Sequence, residues 1–158
     1  MTTILEDLKA FLIGLSSKLR QIFVDGLNSN IVFWKQENTF DYSKTVTYKY
    51  GDFIHYDLGC NVGSEQGGKR YGIVVEDTAQ LSRTVLVVPI HGCNIYHVPR
   101  HFEAYVNKTF HFLSKPHHYA VVTQMRVVSK IRIRKKHGKI DTASIDNLKK
   151  TIRKVLKV

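Results

Sequence analysis

One segment limits the folds open to this chain more than any other. From Tyr50 to His91 it reads Tyr-Gly-Asp-Phe-Ile-His-Tyr-Asp-Leu, then a glycine-rich stretch, then Tyr-Gly-Ile-Val-Val-Glu-Asp, and later Thr-Val-Leu-Val-Val-Pro-Ile-His. Residues 53–58 mix apolar and polar side chains as a half-buried strand does. Ile73 to Val75 and Val85 to Ile90 are short unbroken apolar runs rich in β-branched residues, the pattern of strands covered on both faces. Between the first strand and the second stands Gly63-Ser64-Glu65-Gln66-Gly67-Gly68-Lys69-Arg70. Its glycines let the backbone bend and approach a ligand closely. A loop of this kind inside a compact sheet is more often functional than connective.

Composition narrows the partners. The chain has 158 residues, one domain's worth, with 24 Lys and Arg against 13 Asp and Glu, a formal charge of +11. Such an excess favours a polyanionic partner, nucleic acid or an acidic protein. Twelve of the basic residues fall between Arg126 and Lys157. The two cysteines, Cys60 and Cys93, form no CxxC pair and suit a reducing cytoplasm. Nothing near the start reads as a signal peptide, and the longest apolar run, Ala10 to Leu15, is too short to span a bilayer.

The Gly51-Asp52 start, the Gly-Ser-Glu-Gln-Gly-Gly-x-Arg loop and the Val-Val-Pro-Ile strand together resemble the MazF/PemK family of toxins, which are sequence-selective ribonucleases. The likeness continues more weakly through Gln124-Met125-Arg126 and the closing helix, covering roughly residues 47–158. Two positions depart from the family's pattern: Tyr71 stands where proline is usual, and His91 where serine or threonine is usual. The resemblance implies a mainly β (α+β) fold, a small SH3-like β-barrel with a closing C-terminal helix. Residues 1–46 would then be an N-terminal helical extension with its connector. It also implies a cytoplasmic homodimer, single-stranded RNA as substrate, a cognate antitoxin with an acidic disordered segment, and no metal or other cofactor. In the related CcdB branch the same barrel inhibits DNA gyrase instead, and a barrel that only binds RNA is a third reading.

Along the chain, residues 3–25 read as one amphipathic helix, with Leu5, Leu8, Leu12, Leu15, Leu19 and Ile22 at three- and four-residue steps. Thr3 and Glu6 suggest a capping box and Gly26 a stop. This helix lies outside the resemblance, so it is expected to pack on the barrel or a partner subunit and to leave the choice of cut site alone. Residues 27–46 read as a connector, with Ile31 to Trp34 a short strand or anchor and Trp34, Phe40 and Tyr42 pinning it to the core or stacking on bases. Residues 101–106 suggest a strand and Asn107-Lys108 a turn. Residues 120–133 read as one strand and 132–139 as a basic turn, after which Asp141 caps a helix with the stripe Ile145, Leu148, Ile152, Val155 and Leu156. His91, Cys93, His97 and His101 match no standard zinc spacing and are expected to be surface or RNA-facing groups.

A metal-free ribonuclease must hold the phosphate, deprotonate the 2′-hydroxyl, stabilise charge on phosphorus and protonate the leaving oxygen. Arg70 suits the charge role, because a guanidinium grips two phosphate oxygens at once, and the resemblance makes it catalytic. Glu65 is placed to act as a base, orient Arg70 or read a base edge; a salt bridge between the two is the plainer alternative. The resemblance puts a phosphate-holding hydroxyl at position 91, so His91 is expected to transfer a proton there, having a free pKa near ~6.5. RNA contact is expected from Ser64, Gln66, Gly67, Gly68, Lys69, Gln124 and Arg126, with the Gly67 and Gly68 amides forming an anion nest and Gln124 and Arg126 sharing one strand face.

Overall fold

The computed structural model describes residues 2–61, 63–107 and 110–158. Lys108, half of the expected turn, lies outside them. Seven strands form one antiparallel sheet: β1 (Asp52–Asp57), β2 (Lys69–Val74), β3 (Thr84–Cys93), β4 (Glu103–Val106), β5 (His117–Val121), β6 (Arg126–Ser129) and β7 (Ile133–Lys139). Their order is β4-β5-β3-β2-β1-β7, with β6 also on β3. The long β3 pairs with β6 through Thr84–Val87 and with β5 through Ile90–Cys93, so one strand serves both halves of a barrel-like sheet. The ladder does not close into a ring among the described residues.

Alternation along the three central strands feeds two cores. Phe53, Ile73 and Val88 point to one, while Ile54, Val74 and Val87 point to the other. Strand β1 is therefore buried on both faces, not half-buried as its mixed sequence suggests. The polar residues that give that impression are Asp52 and Asp57, 4% and 1% exposed. Both are paired: Lys136 Nζ lies 2.6 Å from Asp52, and an Arg134 Nη 3.2 Å from Asp57. Both cations belong to β7, so the expected basic turn is a strand whose alternate side chains reach acids at the two ends of β1. The strand expected over 120–133 is likewise broken by single 3₁₀ turns at Val122–Gln124 and Lys130–Arg132.

Helix α3 (Thr142–Leu156) covers the first core with Ile145, Leu148, Ile152 and Val155, whereas Leu156 is half exposed. Asp141 caps it, accepting the Ser144 N–H at 2.9 Å.

The N-terminal extension is more helical than expected and is split. Helix α1 (Thr2–Gly14) ends before Leu15, and α2 (Ser17–Glu37) begins after Ser16, whose hydroxyl accepts the Leu19 N–H. Phe11 packs edge-on against Phe23 across the break, ring centroids 5.2 Å apart. Gly26 does not stop the helix. It sits mid-way along α2, where a Cβ would meet the Cys60 backbone nitrogen at 2.7 Å. Here glycine serves close packing and outweighs its weak helix propensity. Ile31 to Trp34 is helix as well. Phe33 is buried under the Arg132 and Arg134 guanidiniums, while Trp34 is 79% exposed. The Tyr42 hydroxyl donates to Glu37 and lies 3.3 Å from the Ser129 hydroxyl, pinning the end of the extension. Among the described residues, no helix is long and apolar enough to cross a membrane.

Candidate active site

The loop between β1 and β2 is pinned at its root and at its apex. At the root, the Gly59 N–H donates to Asp57 Oδ1 (2.9 Å), the Gly68 N–H to the Gly59 carbonyl (2.7 Å), and the Leu58 N–H to the Gly68 carbonyl (3.0 Å). Gly59 and Gly68 have φ of +68° and +70°, and a side chain on Gly59 would strike the Asn30 carboxamide of α2. The Gly68 amide is thus spent inside the loop and cannot belong to an anion nest. At the apex, Gln124 and Arg126 hold the chain. Gln124 Oε1 accepts the Gln66 N–H (3.3 Å), its Nε2 donates to the Ser64 carbonyl (3.5 Å), and Arg126 donates to the Gln66 carbonyl (3.4 Å). Asn61, which the sequence reading passed over, also donates to that carbonyl (2.6 Å). Gln124 lies in a 3₁₀ turn and Arg126 opens β6, so their convergence comes from that turn and not from alternation on one strand.

Glu65 pairs with Arg126 at 3.5 Å, not with Arg70. Arg70 is the second residue of β2, opposite Tyr56 of β1, and its Nε donates to the Gly67 carbonyl (2.9 Å). That bond aims the guanidinium while leaving its terminal nitrogens exposed. Among the described residues no carboxylate forms an ion pair with it. Glu65 and Arg70 line one cavity of about 390 Å³. Its opposite wall is apolar and comes from the extension: Phe11, Leu15, Leu19, Ile22 and Phe23. Lys69 lines a neighbouring cavity, between α2 and Asp57. Tyr71, in the place of the family's proline, stacks on Phe53 with ring centroids 5.5 Å apart, a packing role.

His91 stands outside this group. Its Nε2 lies 3.0 Å from Glu103 Oε1, and the His97 Nε2 lies 2.8 Å from Glu103 Oε2. The Cys93 sulfur is 3.5 Å from His91 Nδ1. His91 does not line the cavity that holds Glu65 and Arg70. Burial pushes the Glu103 carboxyl up, but the Arg100 N–H and the His97 and His91 rings outweigh it and hold the group below the ordinary carboxylate value. Burial, with Glu103 nearby, pushes the Cys93 thiol up. His101 is not in the cluster; its ring packs on Phe102. Sequence spacing hid the grouping because the loop that returns His97 to β3 belongs to no standard motif.

The profile of PemK-like, MazF-like toxins of type II toxin–antitoxin systems matches residues 49–156. Curated protein sequences give no match. Among solved structures, the chain is similar to MazF (Form-I) from Deinococcus radiodurans, with a TM-score of 0.60 and 14% identity over 72% of this chain and 100% of that one. It is similar to an endoribonuclease in complex with its cognate antitoxin from a mycobacterial species (TM-score 0.54, 14% identity, 70% and 96% covered). It also resembles the MazE–MazF complex (Form-II) from Deinococcus radiodurans (TM-score 0.55, 14% identity, 72% and 99% covered). At such identities these likenesses speak for the fold.

Proposed function

The chain belongs to the PemK-like, MazF-like toxin family of type II toxin–antitoxin systems, and from that premise we propose that it is an endoribonuclease cutting single-stranded RNA. The observation that carries this reading is the shared cavity: an aimed guanidinium without an acidic partner, Arg70, and an exposed carboxylate, Glu65, line the same space. In the proposed step the 2′-oxygen attacks the adjacent phosphorus and the bond to the 5′-oxygen breaks. The products are a 2′,3′-cyclic phosphate and a 5′-hydroxyl. Glu65 takes the 2′-hydroxyl proton, water in the open cavity protonates the departing oxygen, and Arg70 holds the phosphate oxygens as charge builds on them. No proton transfer is assigned to His91, whose ring is engaged with Glu103 away from this cavity. Ser64 and Lys69, both exposed, offer a hydroxyl and an ammonium to the RNA, while Gln124 and Arg126 hold the loop in shape. The formal charge of +11 supports an acidic antitoxin segment as the covering partner, and a homodimer is the expected assembly.

The test is cleavage of a long RNA with a chelator present. The wild-type chain should give discrete cuts. Arg70→Ala should slow single-turnover cleavage about a hundredfold, equivalent to ~3 kcal/mol of transition-state stabilisation, and Glu65→Gln should slow it as well. A folded Arg70→Ala protein that cuts at the wild-type rate removes the assignment.

A further inference from the structure

We propose that His91, Cys93 and His97 bind one late first-row divalent cation, zinc above all, with Glu103 orienting the two imidazoles from behind. His91 and Cys93 are alternate residues at the end of β3, so the pleat puts both side chains on one face. His97 comes back to them from the following loop, and one donor atom from each residue lies within 4.8 Å of the others. Tetrahedral zinc with Zn–S of about 2.3 Å and Zn–N of about 2.0–2.1 Å separates its sulfur and nitrogen donors by roughly 3.6 Å. Cys93 Sγ and His91 Nδ1 already stand 3.5 Å apart.

Glu103 supplies the second, independent argument. Its side chain is 3% exposed; one oxygen takes the His97 Nε2–H in a hydrogen bond of 2.8 Å, and the other lies 3.0 Å from His91 Nε2. An imidazole that donates Nε2–H to a carboxylate, as His97 does, presents a lone pair at Nδ1, while both ring nitrogens of His91 lie close to the Cys93 sulfur, Nδ1 at 3.5 Å and Nε2 at 3.8 Å. A carboxylate behind a ligating histidine is the usual support of a metal site. Two imidazoles and a thiolate are a donor set for zinc, cobalt or copper, not for magnesium or calcium. The histidine side chains are 30% and 21% exposed, so water can reach a fourth position. The ion would tie the segment between Cys93 and Glu103 to the end of β3. The cluster shares no residue with the Arg70 cavity, so the site stands or falls apart from RNA cleavage.

The test uses the untagged, chelator-stripped full chain titrated with Co²⁺ and then Zn²⁺. The expected result is one Co²⁺ per chain with the intense visible bands of a tetrahedral ion and a thiolate-to-cobalt charge-transfer band, all displaced by equimolar Zn²⁺. Glu103→Gln should weaken Zn²⁺ binding about 10–100-fold while keeping the charge-transfer band. Cys93→Ser should abolish that band. Should Cys93→Ser fail to fold, alkylation of the wild-type chain decides: Zn²⁺ should protect Cys93 and leave Cys60 reactive. Absence of bound cobalt, a pale octahedral spectrum without charge transfer, or equal alkylation of Cys93 with and without Zn²⁺ overturns the proposal.

Discussion

Asp57 concentrates more of this structure's polar bonding than any sequence pattern around it suggests. It is 1% exposed, yet its Oδ1 accepts the Gly59 N–H at 2.9 Å, and its Oδ2 accepts the Ser29 hydroxyl at 3.0 Å and Arg134 at 3.2 Å. Burial alone would push the carboxyl up, but the Gly59 amide, the Ser29 hydroxyl and Arg134 outweigh it and leave the group below its ordinary value of 3.8. A carboxyl depressed in the folded state contributes stability that is present above the unfolded pKa and lost as pH falls through the folded one. The loss therefore belongs below about pH 4. Asp57→Asn keeps an acceptor for Gly59 but removes the charge. It should cost about 2 kcal/mol near neutral pH and flatten the acid limb, read by urea unfolding at a series of pH values. A variant as stable as the wild type, with an equally steep acid limb, would contradict this.

At the scale of elements, what the chain revealed about itself depended on how local the cause was. Strand β3 and the stripe of α3 were legible because periodicity and the Asp141 cap act within one element. The glycine-rich loop and Arg70 were legible through motif. Strand β7 was not, since Arg134 and Lys136 in isolation read as a solvated turn and only their acid partners on β1 make them strand residues. The break in the N-terminal helix did have a local signal, Gly14 followed by Ser16-Ser17, which the regular leucine spacing masked. Gly26 read as a stop because its partner, Cys60, is distant in sequence. The largest consequence concerns the extension, which forms the apolar wall of the Arg70 cavity and not a remote prop. Removing residues 1–15 takes away Phe11 and Leu15. It should shift the set of cut sites, mapped by sequencing cleaved ends, while cleavage stays dependent on Arg70. Unchanged cut sites would place the RNA away from that wall.

Across the whole molecule, the basic surplus is not all available to a polyanion. Lys130 is 2% exposed, its ammonium donating to Thr45 and to the Ala79 and Gln80 carbonyls. Arg132 bonds Asn30 and the Asp57 carbonyl, and Arg134 and Lys136 hold the buried aspartates. Neutralising these groups would disturb the fold before it changed a phosphate contact. The exposed Lys69, beside the cavity, is a cleaner probe. RNA affinity measured by fluorescence anisotropy should fall steeply with salt, and Lys69→Ala should reduce the log–log slope by about 0.7, the value for one contact to a single strand. An unchanged slope would mean that Lys69 meets no phosphate. The bonds gathered on Asp57 carry one more meaning at this scale. Through that single carboxylate, the wall of the cavity on α2, its floor in the glycine loop and the sheet behind it hang from a common joint. A force that pries α2 from the sheet must also slacken the loop that aims Arg70. A partner gripping only the far side of the helical extension therefore has mechanical purchase on the loop that carries Arg70 without ever entering the cavity.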